Sequence, residues 1–207
     1  CKAQYRKSGV RFKFGKDVQA IDNDLTGSGF GTSDRALWIE AVLAETLPGG
    51  VYVRGNKFTG SDWQVEFRTL KNLTVRGSEV DGANVILERS LDHSIGAFAL
   101  VFRGVQDSSV SGLNMDHTKA GETFATALAV IDSHRIVIAN NSARYREFGI
   151  LVQGGTDITI TGNDVSGSGK SQHASGGISA ENVTANLVTG GVRIIDNVFS
   201  NVGHHIR

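Results

Sequence analysis

Apolar and polar positions alternate in short bursts along this chain, and the bursts recur. A nine-residue pattern, apolar-x-apolar-x-x-Asn-x-apolar-x, runs from Val18 (VQAIDNDLT), Val51 (VYVRGNKFT), Leu73 (LTVRGSEVD), Ser108 (SSVSGLNMD), Ile136 (IVIANNSAR), Ile158 (ITITGNDVS) and Val192 (VRIIDNVFS). Two alternating apolar residues predict a strand with one side inside. The Asn marks a corner, and the apolar residue after it opens the next strand. A second alternating segment precedes each copy: GVRFKF (9–14), ALWIEA (36–41), WQVEF (63–67), AFALVF (97–102), TALAVI (126–131), GILVQ (149–153) and GISAE (177–181). Each unit therefore supplies three short strands. A unit that cannot bury its own apolar side must stack on its neighbours, so the pattern predicts an all-β coil of parallel sheets.

The sixth position of the pattern reads Asn23, Asn56, Ser78, Leu113, Asn141, Asn163 and Asn197. A tight bend leaves backbone groups unpaired in a narrow corner, and an amide that both donates and accepts can satisfy them. Stacked coils then place these residues in an Asn ladder that holds the scaffold. Leu113 interrupts it, so the fourth coil is expected to differ locally.

A longer period lies over the first. Residues 3–29 align without a gap on 143–169, and 36–59 align on 177–200, so that 1–60 resembles 141–200 as a five-coil duplication. At a strand spacing of ~4.8 Å, equivalent points lie roughly 24 Å apart along the axis. The alignment places both ends in mid-coil: Cys1 falls at the Asn position of a corner and GHHIR (203–207) opens an eighth coil. The expectation is a single domain over 1–207 with about seven complete coils, part of a longer solenoid. Flanking parts of the same chain, or oligomer partners, would cover its open ends. Segment 32–50 carries helix-like signals in Ser33–Asp34 and Pro48-Gly-Gly, but its matched copy is a poor helix former; a strand followed by a loop is expected.

This combination resembles the right-handed parallel β-helix superfamily, the pectate-lyase-like group of polysaccharide lyases, mannuronan epimerases and phage tailspikes. The resemblance covers nearly the whole chain and rests on the scaffold pattern, so it implies a fold more than an activity. It implies a secreted or cell-surface protein. Several family signatures are absent: there is no Tyr-Gly-x-Asp-Pro-His run, no paired aspartates and no Gly-His-Gly.

Composition narrows the partners. Lys and Arg number 21 and Asp and Glu number 21, so the chain as a whole lacks the charge footprint of a nucleic-acid binder. No apolar run approaches the ~20 residues of a membrane span. The lone Cys1 excludes an internal disulfide and a cysteine-based metal cluster. No cofactor is called for by the residues, and calcium enters by the family resemblance alone.

Outward residues of the strand before the first corner form one long face: Arg11 and Lys13, Trp38 and Glu40, Gln64 and Glu66, Arg103, Leu151 and Gln153, Ser179 and Glu181. In the resembled families this flank carries the saccharide groove. Arg11, Lys13, Trp38, Glu40, Glu66 and Arg103, with Arg144 and Lys170 from neighbouring loops, are the candidate substrate-binding residues for a uronate-containing polysaccharide. Lyase or epimerase chemistry needs a cation on the uronate carboxylate, a base for the C5 proton and an acid. Arg146 or Arg144 suits the first role, His117, Lys119 or His173 the second, and Tyr145 the third. Tyr145–Arg146 recurs as Tyr5–Arg6, which fits either a repeated site or a loop brace. Two readings stay open: a carbohydrate-active β-helix, and a non-catalytic structural or adhesive solenoid.

Overall fold

The computed structural model describes residues 2–5, 8–27, 35–59, 63–77, 83–87, 98–116, 126–145, 148–167, 176–200 and 203–207. Every described strand pairing is parallel, and nearly all of it joins one coil to the next. The first sheet stacks Ser8–Lys13, Arg35–Glu40, Trp63–Arg68, Phe98–Arg103, Thr126–Ile131, Phe148–Gln153, Gly176–Glu181 and His204–Ile206 in chain order. The second stacks Val18–Ile21, Val51–Arg54, Val85–Ile86, Thr74–Arg76, Gln106–Ser111, His134–Ala139, Thr156–Thr161 and Val192–Ile195. The third side is two separate sheets. One is Lys2–Tyr5, Asp24–Gly27 and Lys57–Thr59; the other is Asn114–Asp116, Ser142–Tyr145, Asp164–Gly167 and Val198–Ser200. This is a parallel β-helix, and among the described residues the one helical turn is a 3-10 turn at Pro48–Gly50.

Register aligns the inward residues in columns. In the first sheet Val10, Leu37, Val65, Leu100, Leu128, Ile150 and Ile178 stack, as do Phe12, Ile39, Phe67, Phe102, Val130 and Val152. From Leu37 to Ile178 and from Ile39 to Val152 these side chains are fully buried, and Phe67 meets Phe102 edge-on at 5.9 Å. Such columns bury apolar surface at every rung, which is what drives the coils to stack.

The Asn ladder forms in two runs. Asn23 Nδ2 donates to Asn56 Oδ1 at 2.8 Å, Asn141 to Asn163 at 2.9 Å, and Asn163 to Asn197 at 2.9 Å. Each amide also serves the backbone: Asn163 Nδ2 donates to the Ile138 and Thr161 carbonyls at 3.1 Å. Leu113 takes the rung between the runs; it is buried, and its backbone N–H donates to Asn141 Oδ1 at 3.0 Å, so the corner survives without the amide. Immediately before the rung the backbone is left-handed. Asp22, Gly55, Gly112, Asn140, Gly162 and Asp196 have φ of 51–66°, a region that Gly, Asn and Asp occupy at least cost.

The third coil departs from the others. Its rung, Ser78, and the third strand expected after it lie outside the described residues. Further along the chain, Val85–Ile86 inserts into the second sheet, between Val51–Arg54 and Thr74–Arg76. Asn84 anchors the insertion: its Nδ2 donates to the Pro48 carbonyl at 2.7 Å and its Oδ1 accepts from the Thr74 N–H at 2.7 Å.

Segment 35–50 is a strand followed by a loop, as expected. The loop is held by Asp17 of the preceding coil, which accepts from the backbone N–H groups of Glu45, Thr46 and Leu47 at 2.9, 2.6 and 3.2 Å. Asp157 does the same for Asn186, Leu187 and Val188 at 3.0, 2.6 and 2.8 Å.

Candidate functional site

The strands of the first sheet do not alternate strictly. From Arg35–Glu40 to Gly176–Glu181 their second and third residues are both buried. The second-position column is Ala36, Gln64, Ala99, Ala127, Gly149 and Gly177, and a Cβ at Gly177 would strike the Phe199 ring in the core. Outward positions are therefore the first, fourth and sixth. Gln64, expected on the outer face, is fully buried instead, because two successive inward residues shift the alternation.

Three outward columns follow from the register. The first-position column is Ser8, Arg35, Trp63, Phe98, Thr126, Phe148, Gly176 and His204. The fourth-position column is Arg11, Trp38, Glu66, Val101, Ala129, Leu151 and Ser179; the sixth is Lys13, Glu40, Arg68, Arg103, Ile131, Gln153 and Glu181. Charge and aromatic area gather over the first four coils. Of the substrate-binding residues expected from sequence, Arg11, Lys13, Trp38, Glu40, Glu66 and Arg103 all converge here. Arg35, Trp63 and Arg68 join them. The shifted alternation conceals Arg35 and Trp63, while Arg68 lies one residue beyond the apolar segment 63–67.

The carboxylates are enclosed. Glu66 has no exposed side-chain surface; Arg68 Nη2 donates to its Oε1 at 3.0 Å, Arg35 pairs with its Oε2, and Arg103 Nε lies 3.5 Å from Oε1. Glu40 receives Arg11 Nη2 at 3.2 Å, with Lys13 Nζ at 3.7 Å and Arg68 Nη1 at 3.9 Å. Among the described residues, five cations against two carboxylates leave a surplus of three positive charges here, in a chain that is neutral overall. Arg11, Lys13 and Arg103 carry the most exposed of these side chains, at 41, 39 and 34%.

The two tryptophans lie inside this network. Arg11 and Arg68, on the strands either side of Trp38, place their guanidinium carbons 3.7 and 5.2 Å from its ring centroid, and Arg35 stands at 4.6 Å. Trp63 is flanked by Arg35 at 4.4 Å and by Phe98, edge-on at 4.9 Å. Cation–π packing of this kind stiffens the arginines and sets how their guanidinium groups are oriented.

The residues expected to perform catalysis, and the loop residues Arg144 and Lys170 expected to bind substrate, are placed less fully. His117, Lys119, Arg146, His173 and Lys170 lie outside the described residues. Arg144 and Tyr145 belong to the strand Ser142–Tyr145, with only their backbone described. Among the described residues no three Asp, Glu, His or Cys side chains converge to hold a metal.

Comparison with known proteins adds little. No family model matches the sequence, and no curated protein matches it. Among solved structures the chain is similar to the A-module of a mannuronan C-5 epimerase from Azotobacter vinelandii, with a TM-score of 0.41 and 13% identity over 99% of this chain and 76% of that one. No helix among the described residues is long and apolar enough to cross a membrane. By its own strand pairing this chain is a parallel β-helix, the fold of the superfamily its sequence resembles.

Proposed function

We propose that this chain recognises an anionic, uronate-containing polysaccharide outside the cell, and that the outer face of the first four coils is where it does so. The observation that carries the reading is the cation surplus on a rigid sheet. Arginine forks match carboxylate geometry, and Glu40 and Glu66 hold those forks in place before a ligand arrives, so little ordering entropy is lost on binding. Rungs ~4.8 Å apart suit a linear polymer lying across several coils.

A lyase or epimerase activity is the finer form of this proposal. It would draw on Arg144 or Arg146 to neutralise the uronate carboxylate, on His117, Lys119 or His173 as base, and on Tyr145 as acid. The assay is ultraviolet absorbance of unsaturated uronate products across alginate, pectate and glycosaminoglycans, with epimerisation followed by NMR. Product from any polymer, lost in Tyr145→Phe, supports the catalytic form; silence across the panel removes it and leaves recognition alone.

One observation favours a second reading, that of a structural or adhesive solenoid. Glu66 is sealed among arginines and both tryptophans are packed on either side, as in a brace. Retention on immobilised polygalacturonate separates the two. The binding reading expects Trp38→Ala/Arg103→Ala to elute at much lower salt than wild type, and the bracing reading expects neither protein to be retained.

A further inference from the structure

We infer that Phe14 is the stacking surface of this face for the apolar side of a sugar ring, an inference that rests on the polysaccharide reading above. Sugar recognition pairs polar contacts with an open aromatic face. Neither tryptophan offers one, because Trp38 is approached by guanidinium groups from both neighbouring strands and Trp63 lies between Arg35 and Phe98. Phe14 does: it is 73% exposed, at the corner where the first strand of the sheet ends.

Its backbone makes the choice of residue unusual. The corner after each strand of this sheet requires a left-handed residue, and the chain fills it with Ala41, Thr69, Gly104, Asp132, Gly154 and Asn182, all at φ of 47–73°. At the same position Phe14 has φ 58°. A bulky aromatic is strained in that region, and its ring gains nothing from burial here to offset the strain. Stability alone would select a small or polar residue, as at the other corners.

The neighbourhood fits a uronate. Lys13 Nζ lies 4.7 Å from the Phe14 ring centroid and also reaches the Glu40 carboxylate, so one ammonium joins the ring to the charged network. A uronate whose carboxylate meets Lys13 would bring the C–H face of its ring over Phe14. Charge and stacking would then be read at one subsite, next to the Arg11–Trp38 rung.

The test is calorimetric titration of oligogalacturonate and of its fully methyl-esterified form. Phe14→Asn removes the ring and leaves a residue that accepts left-handed dihedrals. It is expected to weaken both ligands by about fivefold, as an aromatic contact would, with Tm unchanged or raised, and Phe14→Trp is expected to restore affinity. The charge pair Arg11→Ala/Arg103→Ala is expected to weaken the acid form alone. Wild-type affinity for both ligands in Phe14→Asn overturns the inference, and so does a clear fall in Tm, which would make Phe14 a packing residue. Wild-type protein that binds neither ligand, or a charge pair that binds the acid form undiminished, overturns instead the reading beneath it.

Discussion

The two ends of the first sheet share an interior and differ on the outside. Inside, Val10, Leu37 and Val65 continue without change of character into Leu128, Ile150 and Ile178. Outside, Arg11, Trp38 and Glu66 give way to Ala129, Leu151 and Ser179, and Glu40, Arg68 and Arg103 to Ile131, Gln153 and Glu181. The inner columns are constrained because each residue must fill the space its neighbours leave. In the outer columns Val101, Ala129 and Ser179 are buried too, but Arg11, Lys13 and Arg103 stay partly exposed, so filling the core does not by itself call for Arg and Trp at one end. The repeat builds the scaffold, and the departure from repetition marks the candidate site.

The sharpest contrast is between inner and outer side chains of neighbouring rungs. Phe102→Ala, which empties a fully buried position against Phe67, is expected to cost about 3–5 kcal/mol in urea unfolding. Leu151→Ala, on the half-buried outer face, is expected to cost about 1 kcal/mol. Equal losses would mean that both faces are core, and that the outer columns are not free to vary.

Glu66 and Glu181 make the same comparison for charge. Removing Glu66 leaves Arg35, Arg68 and Arg103 converging on an empty position. The cost expected is about 2 kcal/mol, below the usual value for a buried pair because the arginines are partly exposed. Glu181→Ala, on an exposed residue of the far end, is expected to leave the unfolding midpoint where it is. If Glu66→Ala is equally silent, the network does not brace the face.

Smaller effects separate the ladder from its interruption. Asn163→Ala leaves the N–H of Asn141 and the carbonyls of Ile138 and Thr161 without their partner, an expected loss of about 1–3 kcal/mol. Leu113 already shows a corner that lives without the amide, so Leu113→Asn should change stability less than Asn163→Ala does. The opposite order would make the ladder incidental.

The loop caps give the mildest effect, a pH dependence. The Thr46 hydroxyl and three backbone N–H groups hold the Asp17 carboxyl at about 2, below its ordinary 3.8. Asp157 is lowered by the N–H groups of Val188, Leu187 and Asn186. A carboxyl lowered on folding adds stability that is complete above its unfolded value and is lost as pH falls through the folded one. Stability from Asp17 should therefore decline between about pH 4 and pH 2, and Asp17→Asn should flatten that part of the unfolding curve. An unchanged acid limb in Asp17→Asn would show that the loop is held by other contacts.

The scaffold was legible because its causes are periodic. Alternating apolar residues and a recurring Asn state the coil, its corners and its ladder directly, and the strand-then-loop reading of 35–50 followed from comparison with 177–191. The site was legible in part. Arg11, Lys13, Trp38, Glu40, Glu66 and Arg103 follow from alternation, whereas Arg35 and Trp63 do not, since small residues such as Ala36 and Ala99 let two successive positions turn inward. The strand Val85–Ile86 was hidden for another reason: two residues carry no periodicity, and their place depends on Asn84 bonding to Thr74 and to Pro48, the latter 36 residues away along the chain. The Asp17 cap had a signal, because the alignment that pairs 3–29 with 143–169 sets Asp17 on Asp157.

The most direct test removes one positive charge from each of two faces. Calorimetric titration of polygalacturonate at low ionic strength compares wild type with Arg11→Ala in the first sheet and Arg193→Ala, an exposed residue of the second. The cation face predicts that Arg11→Ala loses most of the affinity while Arg193→Ala binds as wild type does. Equal losses from both variants would show that the polymer responds only to total charge, and would contradict a site on this face.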